Sequence, residues 1–349
     1  MPHKQLDLIP QQPFVAPSDF EPLMKLLRGA TSKRVVADFL KSKNLAHSGT
    51  WEDLESNRIR VGLETKSLTM EELVKLLSES EEYGHSHSFL FKCSKDEASR
   101  FVNDDKVSTV AAAQKLNVAL GWGKVLELPM QPTISSIRLE EHGGMKTLVV
   151  KVIERREEKT FIKEYTEGKF FRMEWEVSEA RAVNVIRLFA NGLLEVRIAS
   201  HSSKRYDTDI ARIMKVVKEF LPQVPFEDYS LRKAKIELLS NPAPHEDYVK
   251  VSNSALRGKD GSTVIAASGR VDAGLIENET LSAFVGQFVK TPGCLCENTG
   301  LTFLAKTEAV PHEDIHVVLP ERRNEFAVSA SCAKTDYEYV FDKLRTLSS

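Results

Sequence analysis

The chain has 349 residues, with 48 Lys and Arg against 50 Asp and Glu for a net charge of −2, so as a whole it does not attract a polyanion. A hydrophobic share of 42% and a charged share of 28% exclude a mainly disordered or fibrous chain. The length exceeds what one core ordinarily holds, which predicts two domains.

Residues 1–17 are rich in Pro and Gln without periodicity and read as a tail. A helical domain over 18–122 follows, announced by hydroxyl residues with a carboxylate three positions on: Ser18/Glu21, Thr50/Asp53, Thr69/Glu72 and Ser94/Glu97. Each such pair can satisfy free N–H groups of a first helical turn. Val35, Val36, Phe39 and Leu40, then Leu73, Leu76 and Leu77, recur at helical spacing. The short apolar run 88–91 suits an extended segment. The Ala-rich stretch 110–120 predicts a last helix ending at Gly121, with the domain boundary near Gly123.

Residues 123–349 change to alternation rich in β-branched residues and predict a larger mixed domain with a mainly antiparallel sheet. Segments 147–153 and 160–165 flank a charged turn at 155–159. Segments 183–189 and 193–198 are joined by Asn191-Gly192, a pair suited to the positive φ of a tight hairpin. Asp260-Gly261 marks another hairpin and 321–324 a third. Helices are predicted at 207–221, 228–239, 279–289 and 337–347, the first with Ile210, Ile213, Met214, Val217, Phe220 and Leu221 on one stripe. The fold class is α+β, with no internal repeat and no glycine-rich phosphate loop after a strand, so no cofactor is expected.

Charge is unevenly spread in the first domain. Residues 25–60 hold eight bases and four acids, whereas 64–82 hold two bases and six acids. Within the basic part, Val35, Val36, Phe39 and Leu40 are followed by Leu45, then by Ser48-Gly49-Thr50 opening a second helix through Leu54 and Ile59. This segment, 31–63, resembles the SAP motif, a helix-extended-helix module associated with DNA binding. The resemblance implies that Ser48, Gly49 and Thr50 offer backbone N–H groups to a phosphate while Lys33, Arg34, Lys41, Lys43, Arg58 and Arg60 supply countercharge. Trp51 stands where that family usually places a base, and Glu52 and Asp53 follow.

A second basic set, Lys204, Arg205, Arg212, Lys215 and Lys218, borders the 207–221 stripe, and Arg232, Lys233 and Lys235 form a third that reads as exposed. His312-Glu313-Asp314-Ile315-His316 matches the H-E-x-x-H formula of zinc hydrolases. Pro311 before it and 317–320 after it favour a strand, in which His312 and His316 lie about 13 Å apart, too far to share an ion. His85-Ser86-His87 offers further ligand types, but its polar surroundings favour a turn. Cys294 and Cys296 lack zinc-knuckle spacing, and with Cys93 and Cys332 they read as reduced thiols. No membrane-length apolar run and no secretory signal are present, which predicts a cytosolic protein.

These observations lead to a DNA-binding protein without a catalytic site. The alternatives are a protein-interaction subunit, self-association included, and a metal hydrolase on His312, Glu313 and His316.

Overall fold

The structure, a computed structural model, describes residues 19–121, 126–201, 205–269, 274–306 and 310–349. The predicted tail, Ser18, Gly123 and Lys204 lie outside these residues.

The chain begins with a helical unit made of α1 (Phe20–Ala30), α2 (Lys33–Ser42), α3 (Trp51–Asp53) running through a π-helical stretch Leu54–Ile59 into α4 (Arg60–Glu64), and α5 (Met70–Glu82). Leu23, Leu27, Val36, Leu40, Leu54, Ile59, Leu73 and Leu77 meet in one buried core. Thr50, Thr69 and Ser94 cap helices as expected, whereas α1 has Asp19 at its N-cap without a side-chain cap bond and Ser18 lies outside the described residues. Thr69 accepts the Glu72 N–H at 3.2 Å while the Glu72 carboxylate accepts the Thr69 N–H at 3.0 Å, and Ser94 caps α6 (Lys95–Phe101) by accepting from Glu97.

Next come β1 (Ser86–Lys92) and α7 (Asp104–Ala113), then β2 (Thr133–His142), β3 (Met145–Glu167), β4 (Phe170–Phe189) and β5 (Leu193–Ala199). After α8 (Tyr206–Val217), β6 (Glu227–Asp228) and α9 (Arg232–Ser240), the chain forms β7 (Val249–Arg257), β8 (Thr263–Ala267), α10 (Glu279–Lys290), β9 (Leu295–Phe303), β10 (Ile315–Leu319), β11 (Glu325–Val328) and α11 (Lys334–Ser348). The strands make one sheet in the order β2-β3-β4-β5-β1-β11-β10-β9-β7-β8, with β6 beside β1, and every strand pair in it is antiparallel.

This confirms the α+β class. The apolar run at 88–91 belongs to β1, which lies between β5 and β11 at the centre of the sheet. The unit with its own helical core therefore ends with α5, and α6 and α7 pack on the sheet. The helix predicted over 110–120 is α7, which stops at Ala113 and is followed by a single 3-10 turn. The β4–β5 hairpin turns at Asn191-Gly192 as expected. Gly192 has φ +96°, and a Cβ there would lie 2.2 Å from the Cys93 carbonyl oxygen, so any side chain collides with backbone.

One face of the β1–β5 half is apolar. Val150, Ile186, Val196 and Ile198 pack beneath α6, α7 and α8. The opposite face carries buried charge, neutralised by α5 and α11. Arg138 donates to Glu82 at 2.7 Å, Lys151 to Glu81 at 2.7 Å and Arg181 to Glu81 at 2.6 Å. Glu195 accepts from Arg187, Arg197 and the Tyr337 hydroxyl. Ions this deep require such partners, since leaving one alone is far costlier than pairing it. The network fixes the helical unit to the sheet.

The largest departure from expectation is β3–β4. The charged run at 155–159 is not a turn: β3 passes straight through it and turns only at Gly168, which has φ +61°. Pairing with β2 stops at Ile153 and pairing with β5 at Val185, so beyond these the two strands pair only with each other. From the Glu157/Glu179 pair to the turn, every residue whose burial is described is exposed. The result is a two-stranded arm projecting about 35 Å at roughly 3.3 Å per residue.

Candidate functional site

Of the three amides expected to seat a phosphate at Ser48-Gly49-Thr50, that of Thr50 is engaged by the chain itself. The Thr50 N–H donates to the Asp53 carboxylate at 3.1 Å, and the Asp53 N–H donates back to the Thr50 hydroxyl at 3.2 Å. The Thr50 N–H first, and second the Thr50 hydroxyl, which donates to the same carboxylate at 3.1 Å, hold the Asp53 carboxyl below its ordinary range. Gly49, at φ +136°, is needed because a Cβ would come within 2.6 Å of Asp53 Cβ.

The surrounding bases turn mainly to acids. Arg34 pairs with Glu313 at 2.8 Å, Arg60 with Glu21 at 2.6 Å and Lys43 with Glu72. Arg28 pairs with Glu55 at 2.7 Å. Arg58 donates to the Asn57 carbonyl, and Lys33 and Lys41 are exposed. The second basic set does not join them. Arg212 is bound to Glu154 and Asp209, Lys218 lies 3.5 Å from Glu219, and Arg205 and Lys215 are exposed. Their helix, α8, sits on the apolar face of the sheet, whereas the helical unit meets the charged face. The two basic sets therefore lie on opposite sides of the sheet.

The H-E-x-x-H residues separate. His312 Nδ1 lies 2.7 Å from Asp336, His316 Nδ1 lies 3.0 Å from the Thr302 hydroxyl, and Glu313 takes Arg34. His87 sits within β1 beside Glu325 and stacks on Tyr206, not in a turn. Among the described residues no group of three or more His, Cys, Asp or Glu could hold a metal ion, and all four cysteines are free. No helix among the described residues is long and apolar enough to cross a membrane. Lys235 is not exposed: it is buried and donates to the Pro320 and Cys296 carbonyls. Burial lowers its ammonium to about 8.

A cavity of about 740 Å³ lies between the helical unit and the base of the arm, lined in part by Leu26, Ser80, Ser86, Leu128, Arg181 and Val183. The Ser80 and Ser86 hydroxyls are buried without a hydrogen-bond partner. Of the carboxylates there, Glu81 and Glu82 are committed to Lys151, Arg181 and Arg138, and Glu179 pairs with Arg155 at 2.9 Å.

The arm is the feature that the sequence reading missed. Strand alternation puts Val177, Trp175, Met173 and Phe171 on one side of β4. Their partners across the pair are Lys159, Phe161, Glu164 and Thr166, with a bulge between Phe161 and Lys163 that shifts the register by one residue. Phe161 and Trp175 touch edge to face with ring centroids 5.4 Å apart, which confirms the shared side. Phe161, Phe171, Met173, Trp175 and Val177 are 45% to 63% exposed. The other side is mixed: Lys163 pairs with Glu174 at 3.3 Å and Arg172 with Glu167 at 2.7 Å, and Tyr165 and Phe170 lie exposed among these ions. The available signal was the alternation 171-173-175-177 itself, behind a glycine at 168.

No known protein family matches this chain, and neither does any curated protein.

Proposed function

We propose that the protein is a subunit that works by binding protein, docking through the apolar side of the β3–β4 arm. The observation carrying this reading is the five-residue stripe of Phe161, Phe171, Met173, Trp175 and Val177, half exposed on a ribbon whose opposite side carries two ion pairs with Tyr165 and Phe170 between them. At roughly 100 Å² apiece these residues present about 500 Å² of contiguous apolar surface, as large as the principal patch of a typical monomer and commonly a sign of an interaction site. A two-stranded ribbon gains little stability alone. Such a stripe has a physical rationale when a partner covers it.

Charge favours protein over nucleic acid as that partner. From 157 to 179 the arm carries seven acids (157, 158, 164, 167, 174, 176 and 179) and four bases (159, 163, 169 and 172). A phosphate backbone is repelled by that balance, and its binding depends on local cationic excess. The paired bases around Thr50 and the Thr50 amide taken by Asp53 point the same way.

The test is a complex isolated from the cells that make the protein and treated with nuclease. The expected result is a stoichiometric protein complex that survives digestion and is lost in the Phe161→Ser/Trp175→Ser variant. A complex dissolved by nuclease, or one indifferent to that variant, contradicts the reading.

A further inference from the structure

We infer that the partner covering the arm is the same arm of a second copy, laid antiparallel and face to face across a two-fold axis through the Phe161/Trp175 pair. This rests on the reading above that the apolar side docks protein.

The argument comes from the order of residue pairs along that side. Moving outward, the pairs are Lys159/Val177, Phe161/Trp175, Glu164/Met173 and Thr166/Phe171, each two residues apart on β4. Successive pairs therefore lie about 7 Å apart. A two-fold axis crossing both strands at Phe161/Trp175 brings β3 over β3 of the copy and β4 over β4, with directions reversed. Phe161 then meets Phe161 and Trp175 meets Trp175. One step to either side, Lys159 faces Glu164 of the copy and Val177 faces Met173. The operation repeats both contacts, so two Lys159–Glu164 pairs bracket one aromatic centre.

Both charges are free for this. Lys159 and Glu164 are exposed, and among the described residues neither has an ion-pair partner. The alternative parallel arrangement, with the axis along the arm, sets Lys159 against Val177 and Glu164 against Met173, which strands both charges on apolar groups. The acids Glu167, Glu174 and Glu176 fall on the far side of the ribbon, whereas Glu157 and Glu179 share the docking side, where the axis brings Phe171 of the copy to Glu179, a carboxylate already paired with Arg155 at 2.9 Å. About 500 Å² per copy amounts to roughly 1,000 Å² for the pair, near the lower bound for a specific interface. The dimer is therefore expected to be reversible and dependent on concentration.

The test is sedimentation velocity of the purified full chain over a concentration series, with circular dichroism confirming that each variant is folded. The wild type is expected to pass from monomer to dimer. Lys159→Glu and Glu164→Lys should each weaken association about tenfold or more, because each replaces two attractive contacts with two like-charged ones. The double swap should restore it to within a few-fold, which a role confined to folding cannot produce. A monomer at all concentrations, a dimer indifferent to the single swaps, or a double swap that fails to recover overturns the inference. If the purified chain stays monomeric while Phe161→Ser/Trp175→Ser still removes a different protein from the nuclease-treated complex, self-pairing fails and the docking reading stands. If that variant changes neither assembly, both fail.

Discussion

Phe161 and Trp175 hold each other edge to face at 5.4 Å on a ribbon that pairs with no other strand over that stretch. The contact organises an exposed surface and is not part of any of the three buried cores.

If the arm serves docking and not folding, it can be removed. Excising 158–178 and closing the strands with Asn-Gly should change unfolding free energy by less than about 1 kcal/mol, the usual range for surface changes away from buried features. Urea denaturation checks this, and a much larger loss would mean that the arm supports the core.

Glu195 has the opposite character. Burial alone would raise its carboxyl, but Arg187 and Arg197 beside it, with the Tyr337 hydroxyl, hold it at about 2. Glu195→Gln should cost about 3–5 kcal/mol, because two buried guanidinium groups lose their shared anion. A carboxyl depressed on folding contributes stability that is complete above its unfolded value of 4.5 and fades as pH falls toward 2. Denaturation between pH 5 and 2 should therefore show a steep acid limb in the wild type and a flatter one in Glu195→Gln.

Lys235 predicts an alkaline effect. Burial lowers it from 10.5 to about 8, so below pH 8 its charge is a penalty on folding. That penalty lifts as pH rises from 8 to 10.5, where the unfolded lysine still holds a proton that the folded one has lost. Stability measured against Lys235→Met should rise by roughly 3 kcal/mol across that window. A flat difference would show that the Pro320 and Cys296 carbonyls keep the ammonium charged.

How much of this was legible in the sequence varied with the range of the forces involved. Local chemistry was readable: Thr50, Thr69 and Ser94 cap helices, Asn191-Gly192 turns a hairpin, and Ile213 and Val217 face the core. The central place of β1 was not, because its partners, β5 and β11, are distant in sequence. Lys235 looked like a surface base since the carbonyls that receive it come from Cys296 and Pro320, far along the chain. The arm was hidden for another reason. The apolar side draws four of its five residues from β4 and only Phe161 from β3, so on β3 the charged run at 155–159 imitates a turn. The candidate nucleic-acid residues stand out in the sequence as local runs of bases, but the acids that engage them, Glu313 for Arg34 among them, lie elsewhere in the chain.

Those acids make a prediction of their own. Neutralising Lys33, Arg34, Arg58 and Arg60 together should leave the affinity for duplex DNA unchanged in fluorescence polarisation at every salt concentration. A phosphate-binding surface would instead lose affinity and show a shallower salt dependence.

The most direct test of the docking claim is oxidative footprinting of the native assembly after nuclease digestion, read at Phe171, Met173 and Trp175 and compared with the Phe161→Ser/Trp175→Ser variant at the first two positions. The account expects these side chains to be protected in the assembly and oxidised freely at Phe171 and Met173 in the variant. Equal oxidation of Phe171 and Met173 in both would contradict it.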